Sequence, residues 1–496
     1  MNETNIIILP IIGLEIHVEL ATETKMFCRC RNRFGDQPNT NVCPVCIGMP
    51  GVLPVMNCKA VELAMKVGLA LDCQVAARTK WDRKSYYYPD LPKNYQISQY
   101  DQPLSAGGRL DVPLADGTVK TVRVQRAHLE EDAGKNVHDR PGHTGVDLNR
   151  AGVPLLEIVS EPDMHSAEEV GAYGRAMQRL VRWLGASEAN MQMGHMRFEP
   201  NINLHITADG LTYKTPIVEV KNLNSFRSLE GAVRYEIQRQ SEEWRGDREG
   251  FSLARMGKHN RGFDDATGQT VFQRSKEEAH DYRYFSDPDL VAVTVDEVWR
   301  EAVAGSISEL PLARRARYIQ EHGLDFKAAD ALTQDPQTGD LLDAAVGQGA
   351  SPRRCANLLL GRGSALANEK NCSIAEIGLT AGQLAGLAKM IEGKQISASA
   401  GDKVFDAIVG TGQNPGEAVA AAGLLAVTDT GQIEAWVAEA MAGNAQAVAD
   451  ARSGDPKKQK KAFGFLMGQV MQKSRGAAAP AEVQQGLEKA LGGQGE

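Results

Sequence analysis

Three short apolar runs carry acidic groups where a buried strand ordinarily has none: Gly13-Leu14-Glu15-Ile16-His17-Val18-Glu19-Leu20, His128-Leu129-Glu130-Glu131-Asp132 and Pro154-Leu155-Leu156-Glu157-Ile158-Val159-Ser160-Glu161. Side chains of a strand alternate between its faces, so Glu15, His17 and Glu19 project to one side while Leu14, Ile16 and Val18 fill the other. The apolar set needs a sheet core, and the ionised set needs water or a cation. An antiparallel strand with one wet face accounts for any single run. Three runs of the same kind weigh toward a cation, because carboxylates crowded without counter-charge repel and shift their pKa values. Carboxylate oxygens suit magnesium, which keeps waters and takes few protein ligands plus substrate phosphates. The pattern therefore points toward nucleotide-dependent phosphoryl chemistry.

At 496 residues the chain exceeds one ordinary core, and roughly two to four domains are expected. Its longest nearly unbroken apolar stretch, Ile6 to Leu14, is too short to span a bilayer and is interrupted by Pro10, so no transmembrane helix and no membrane partner are expected. Glu3, with no basic group before that run, is the wrong charge for a secretory signal, which predicts a cytoplasmic protein. A net charge of -8 argues against a general nucleic-acid coat but permits a local basic patch.

Four of the eight cysteines cluster as Cys28-Arg29-Cys30 and, twelve residues on, Cys43-Pro44-Val45-Cys46. That spacing lets four thiolates close tetrahedrally on zinc, against disulfides or a redox pair as the alternatives. Four sulfur ligands leave no open position, so such a zinc would hold a loop in shape.

Residues 1–295 mix β-type runs with Gly/Pro turns, and the rest turns rich in Ala, Gly, Leu and Gln at helical spacing. Pro311 is placed to begin a helix through Arg314, Arg315 and Tyr318, and a second break is expected near 395–415, around Gly401-Asp402 and Gln413-Asn414-Pro415-Gly416. The expected division is thus 1–295, 296–408 and 409–496, the last a small helical tail with frayed residues 492–496. In that tail Lys457, Lys458, Lys460, Lys461, Lys473 and Arg475 flank Phe463-Gly464-Phe465-Leu466-Met467, either a solvated helix face or a contact with RNA phosphates. No internal repeat or low-complexity block is present.

Three further segments carry chemistry. Residues 80–99, from Lys80-Trp81 to Gln99, are dense in rings and cations, including Lys84 and Lys93; they suit either a nucleotide or tRNA end, or a Pro-bounded turn with its tyrosines in the core. Met191–Asn203 reads as a strand with Arg197, Glu199, Asn201 and Asn203 on one face. Glu219-Val220-Lys221 leads into a helix carrying Leu229, Val233 and Ile237, whose start, near Lys221 and Arg227, is a weak anion-site signal.

These residues resemble a known family. Gly13-Leu14-Glu15-Ile16-His17, the twin Cys pairs leading to Gly51-Val52-Leu53-Pro54, Tyr88-Pro89-Asp90-Leu91-Pro92-Lys93, His128 to Lys135, Leu148-Asn149-Arg150, Glu157 to Asp163, Lys221 to Phe226 and Asp281-Tyr282-Arg283-Tyr284-Phe285 together look like the B subunit of the aspartyl/glutamyl-tRNA amidotransferases, and Phe465 to Met471 resembles that family's tRNA-engaging tail. The resemblance implies an α+β cradle domain, similar in kind to glutamine synthetase and guanido kinases, then an all-α domain and a small helical tail. It implies an ATP- and magnesium-dependent ligase subunit that phosphorylates the side-chain carboxylate on Glu-tRNA(Gln), Asp-tRNA(Asn) or both, ammonia then displacing the phosphate. No Ser-rich amidase signature is apparent, so the ammonia source is expected on a partner glutaminase A subunit, with a small C subunit completing a heterotrimer. By motif, the metal positions fall on Glu15, His17, Glu130 or Glu131, Glu157 and Glu219, with Glu199 where the family has Asp; Glu15, His17, Glu131 and Glu157 are the catalytic candidates. Lys84, Lys93, Arg197, Lys221 and Arg227 are candidates for ATP, phosphate or tRNA contacts.

Two departures from the family pattern stand out. Met193 to Asn201 lacks a family acid and Ser, leaving Glu199 to reach metal from farther back or His195 to substitute for a neighbour. Ser286-Asp287 replaces Pro-Glu and is expected only to alter a turn. Two other readings remain: a stand-alone ATP-dependent carboxylate amine ligase, for which the basic tail is superfluous, and a zinc-bearing RNA-binding protein without catalysis, for which the acidic ledge is a repulsive surface.

Overall fold

The computed structural model describes residues 6–140, 142–275, 282–424, 430–453, 455–474 and 478–492. Asp281 of the aromatic motif, Arg475 of the basic stripe and residues 493–496 lie outside them. The chain divides into two compact units, Met1–Leu310 and Pro311–Glu496.

The first unit is built on a ten-stranded mixed sheet. Its order is Gln269–Ser275, Lys258–Asp264, Ile217–Lys221, Met196–Ala208, Ile7–Glu19, Pro154–Ser160, Val119–Glu131, Ser105–Pro113 and Gln74–Val75, with Leu211–Lys214 pairing beside Met196–Ala208. Every pairing is antiparallel except that of Ile217–Lys221 with Lys258–Asp264. The strand Ile7–Glu19 alternates as its sequence predicts: Ile12, Leu14, Ile16 and Val18 are buried on one face, and Glu15, His17 and Glu19 stand on the other. The helices Cys58–Ala70, Ala167–Trp183 and Phe226–Gly246 cover the apolar face, packing Val61, Tyr173, Met177, Leu229 and Val233 into one core with those strand residues. Each starts where a side chain satisfies an orphan amide: Asn57 accepts from Lys59 N, Ser166 from Glu169 N and Ser225 from Ser228 N. The acidic face is left open to be roofed by smaller elements.

One of these is a three-stranded sheet, Phe285–Ser286, Asp82–Ser85 and Tyr95–Ser98. Asp287, expected only to alter a turn, is instead a buried anchor of this sheet, because its carboxylate pairs with Arg83 Nε at 2.7 Å. The aromatic segment splits: Trp81 is in the core, against Phe27, while Tyr87 and Tyr88 are exposed.

The second unit is helical among its described residues. A helix does begin at Pro311 and runs to Gln320, burying Arg314, Arg315 and Tyr318. The region near 395–415, expected to be a break, is largely helix: Ala398–Ile408 and Pro415–Ala422 share one core with Tyr318, Leu342 and Leu384, since Val404, Phe405, Ile408 and Val419 form an apolar stripe around the Gly401-Asp402 pair. A separate core, from Ile433 to Leu487, joins Thr430–Ala442, Pro456–Lys473 and Pro480–Gly492. No helix among the described residues is long and apolar enough to cross a membrane.

Burial predicts opposite responses at two positions of the first unit, one on the strand Ile7–Glu19 and one on the helix Glu297–Gly305. Ile16→Ala, at a position 0% exposed, should cost about 2–5 kcal/mol in denaturant unfolding of the first unit, whereas Val298→Ala, at 78% exposure, should stay within about 0.5 kcal/mol.

Candidate active site

Strand register assembles the site. Arg197 lies opposite His17, His17 opposite Glu157, and Glu157 opposite His128, a polar row across four neighbouring strands. Glu15 sits two residues from His17 on the same face and opposite Glu199. Directly opposed side chains come within about 5 Å at Cβ, so the register alone forces these groups together. His17 Nε2 is 3.4 Å from Glu15 Oε1 and 3.5 Å from Glu157 Oε2, and His128 Nε2 is 3.7 Å from the same Glu157 oxygen. The row floors a cavity of about 440 Å³, whose wall also carries Glu130, Asp132, Lys84 and Tyr86.

Alternation also separates the adjacent pair Glu130 and Glu131. Glu130 faces the cavity with His128, oriented by Ser98 Oγ at 3.3 Å, while Glu131 turns to the opposite side, where Lys93 and the Ile97 amide bind its carboxylate. Glu131 and Lys93 are therefore given to each other and stand outside the cavity wall. Arg227 is exposed on the first turn of its helix and is likewise absent from that wall.

Burial sets the electrostatics. It pushes the Glu15 carboxyl up to about 7, with the charge of Glu157 adding to the shift, and it raises Glu130. Burial also drives His128 down to about 4. His17 goes the other way: burial opposes its charge, but the hydrogen bond and charge of Glu157, with Glu15, lift it to about 9. Glu157 overcomes its own burial through His128 and His17 and lies well below the usual carboxylate range. A protonated His17 thus partly neutralises the acidic floor, yet the Nδ1 atoms of both His17 and His128 are buried without a hydrogen-bond partner. The two groupings Glu15–His17–Glu157 and His128–Glu130–Glu157, each with ligand atoms within 4.8 Å of one another, fit a divalent cation, which would take the place of the His17 proton.

The other end of the cavity is cationic. Lys221 Nζ lies 2.5 Å from Glu199 and 3.0 Å from Glu219, and Lys258 Nζ lies 2.6 Å from Glu219. Burial would raise Glu219, but these two lysines hold it at about 2. Glu199 accordingly meets an ammonium at this end. His195 does not substitute for a site residue: it lies 3.6 Å from Glu188, against the Phe34 ring, because it precedes the strand that begins at Met196. Arg197 reaches Asp132 at 2.8 Å, and Lys84 lines the cavity 5.3 Å from the Tyr282 ring centre.

Several wall residues escaped the sequence reading. His128 was signalled by its two-residue spacing from Glu130. Lys258, Asn260 and Arg274 come from strands in an unremarkable stretch: parallel pairing beside Glu219 brings in Lys258 and Asn260, and antiparallel pairing opposite Asn260 brings in Arg274. Tyr284 enters by stacking on Tyr100, ring centres 4.1 Å apart.

The sulfur atoms of Cys28, Cys30, Cys43 and Cys46 lie within 4.8 Å of one another, and all four are free thiols. A hydrogen bond from Cys28, the main cause, draws Cys46 down to about 4, and Cys28 rises in return. The lysines of the tail lie on Pro456–Lys473, where Lys457, Lys458, Lys460 and Lys461 are exposed; Lys473 pairs with Glu439 at 3.0 Å.

Residues 10–301 match the GatB/GatE catalytic domain model and residues 340–491 the GatB domain model. Relatives described as the B subunit of an aspartyl/glutamyl-tRNA(Asn/Gln) amidotransferase include those of Geotalea daltonii, 45% identical over 97% of this chain and 99% of the relative, and Brevibacillus brevis, 43% identical over 97% and 98%. That of Geobacter sulfurreducens is 45% identical over 97% and 99%. With a catalytic-domain match spanning the whole acidic site and full-length likeness to such relatives, the chain belongs to the GatB/GatE family.

Proposed function

We propose that this chain is the kinase and transamidase subunit of a tRNA-dependent amidotransferase, acting on Glu-tRNA(Gln), Asp-tRNA(Asn) or both, with a glutaminase A subunit and a small C subunit as partners. The observation that carries the reading is the Arg197–His17–Glu157–His128 row, with Glu15 and Glu130 on the same face and Lys221 and Lys258 on the strands beyond Glu199, all lining one cavity. An acidic floor suited to a divalent cation beside fixed ammonium groups is the charge pattern that phosphoryl transfer needs.

In the first step a side-chain carboxylate oxygen forms a bond to the γ-phosphorus of ATP as the bridging bond to ADP breaks. In the second, ammonia attacks the acyl carbon of the mixed anhydride, the C–O bond breaks, phosphate leaves and the nitrogen sheds one proton to become the amide. Magnesium, when bound, supplies positive charge for the transferring phosphoryl group, and Glu15, His17, Glu157, His128 and Glu130 are the residues that would hold it. Lys84, Lys221 and Lys258 supply the cations for the phosphates. Glu199 and Glu219 aim Lys221 and Lys258, which we assign as positioning roles in place of metal ligation, and Glu131 fixes Lys93 on the far side of its strand. Tyr86 and the stacked Tyr100 and Tyr284 add rings to the cavity wall. The four cysteines are assigned a structural zinc.

The open sheet with an acidic face and a helix-covered back supports a cradle of the glutamine synthetase and guanido kinase kind. The separate cores ending at Leu424 and beginning at Ile433 support a helical domain followed by a tail, and the exposed lysines of Pro456–Lys473 make that tail a tRNA contact. The two alternatives fare worse. A small-molecule amine ligase has no use for that stripe, and a non-catalytic RNA binder has none for the acidic cavity.

The decisive assay combines the protein with its A and C subunits, ATP, magnesium, glutamine and misacylated tRNA; phosphate release that ignores the misacylated tRNA would defeat the reading. Glu157→Gln should lower amidation by at least about 10²-fold while tRNA binding, measured by filter retention, survives. Replacing Lys457, Lys458, Lys460 and Lys461 by Ala should weaken tRNA binding and flatten its log–log salt slope by about 0.7–0.9 per lost phosphate contact, and an unchanged slope would return the stripe to solvent. Metal analysis should find about one zinc per chain, lost in the Cys43→Ser, Cys46→Ser double variant.

A further inference from the structure

Lys25 is 0% exposed, yet no carboxylate among the described residues pairs with it. Its Nζ donates to Cys46 Sγ at 3.7 Å and to the Leu148 carbonyl at 3.3 Å. A buried ammonium without a counter-ion costs several kcal/mol, and the ionisable group its Nζ touches is the Cys46 sulfur, with the Glu131 carboxylate farther off and bound by Lys93. The Cys46 thiolate, which Cys28 and the ammonium itself favour, supplies one negative charge. Four thiolates on a divalent cation carry a net charge of about -2, an excess that one buried ammonium on the rim partly cancels.

We propose that Lys25 is the built-in counter-ion of the tetrathiolate centre, donating to the Cys46 sulfur and linking the centre to the loop 148–153 beside the active site. This rests on the zinc assignment above and adds to it a residue outside the ligand set. The hydrogen bond withdraws electron density from the Cys46 thiolate, which slows its attack on electrophiles and the metal loss that follows. The same ammonium is one link of a short chain into the pocket. Met26 N donates to Gly152 O at 2.8 Å, Gly152 N donates to Asp132 O at 2.8 Å, and Arg150 Nη2 donates to Gly134 O at 2.7 Å. Gly152 has φ +87°, and a Cβ there would meet Cys46 Cβ at 3.4 Å and Lys25 Cδ at 3.6 Å, so the loop lies directly on the centre. The segment that carries Asp132 into the cavity is thereby tied to the Met26 backbone directly and to the Lys25 ammonium through Leu148.

The test uses the full chain purified with its metal. Iodoacetamide forms an S–C bond at a cysteine as iodide leaves, and zinc freed as thiolates are consumed is read with a chromogenic chelator. Lys25→Met, close in shape but uncharged, should release zinc about tenfold faster, the worth of one charge-assisted hydrogen bond. Peptide mapping should show Cys46 gaining most of the extra reactivity, and hydrogen exchange at the Gly152 and Asp132 amides should rise. Lys25→Gln, which keeps a neutral donor, should fall between Lys25→Met and the parent, and it takes the place of Lys25→Met if that variant does not fold. Release rates equal to the parent's, or acceleration shared evenly by all four cysteines as general loosening would give, overturn the proposal. A chain that carries no zinc overturns the zinc assignment and Lys25 with it, whereas a full zinc load with unchanged rates overturns Lys25 alone.

Discussion

The placement of His17 opposite Glu157, with His128 beyond, is the constraint on which the rest of the first unit depends. A slip of one residue between Ile7–Glu19 and Pro154–Ser160 would turn Leu156 or Ile158 into the cavity and Glu157 into the core. Burial of Leu14, Ile16, Leu156 and Ile158 against the three helices prevents that slip, so the apolar face of the sheet enforces the geometry of the acidic one. The packing that stabilises the fold and the register that builds the site are one and the same.

Concentrating carboxylates in a half-buried cavity has a cost, and the structure meets it locally. Protonated His17, Lys221 and Lys258 offset part of the charge, and Arg197 meets Asp132. What these leave unmet, the raised carboxyls of Glu15 and Glu130, is the charge a divalent cation would complete. Around this floor the smaller elements act as braces. The Asp82–Ser85 sheet is pinned by Arg83 to buried Asp287, and the cysteine segment bears on the 148–153 loop through Lys25.

Much of this was legible in the residues. Alternation placed Glu15, His17 and Glu19 on one face, the Cys spacing brought four sulfurs together, and Pro311 opened a helix. The choice between Glu130 and Glu131 was not legible, because the run His128 to Asp132 leaves open which parity faces the site until the strand pairs with Pro154–Ser160. Nor was the pairing of Glu199 with Lys221, since the extra methylene of Glu199 suggested only reach, and the partner lies on another strand. Gly401-Asp402 read as a break because glycine and aspartate favour turns, but apolar neighbours at helical spacing outweighed them.

By itself the sequence determined that acidic and apolar residues must part to opposite faces of strands, that a cysteine cluster stands apart from the acidic runs, and that a helical half follows a β-rich one. Those are consequences of side-chain period and local spacing, which need no partner strand. Only the tertiary structure decided which carboxylates converge, that Glu131 and Lys93 satisfy each other away from the cavity, that Lys258 and Asn260 join its cationic end, and that Lys25 meets Cys46. Each of these is a contact across elements distant in the chain or turned by register, and register is set by the burial of a whole face.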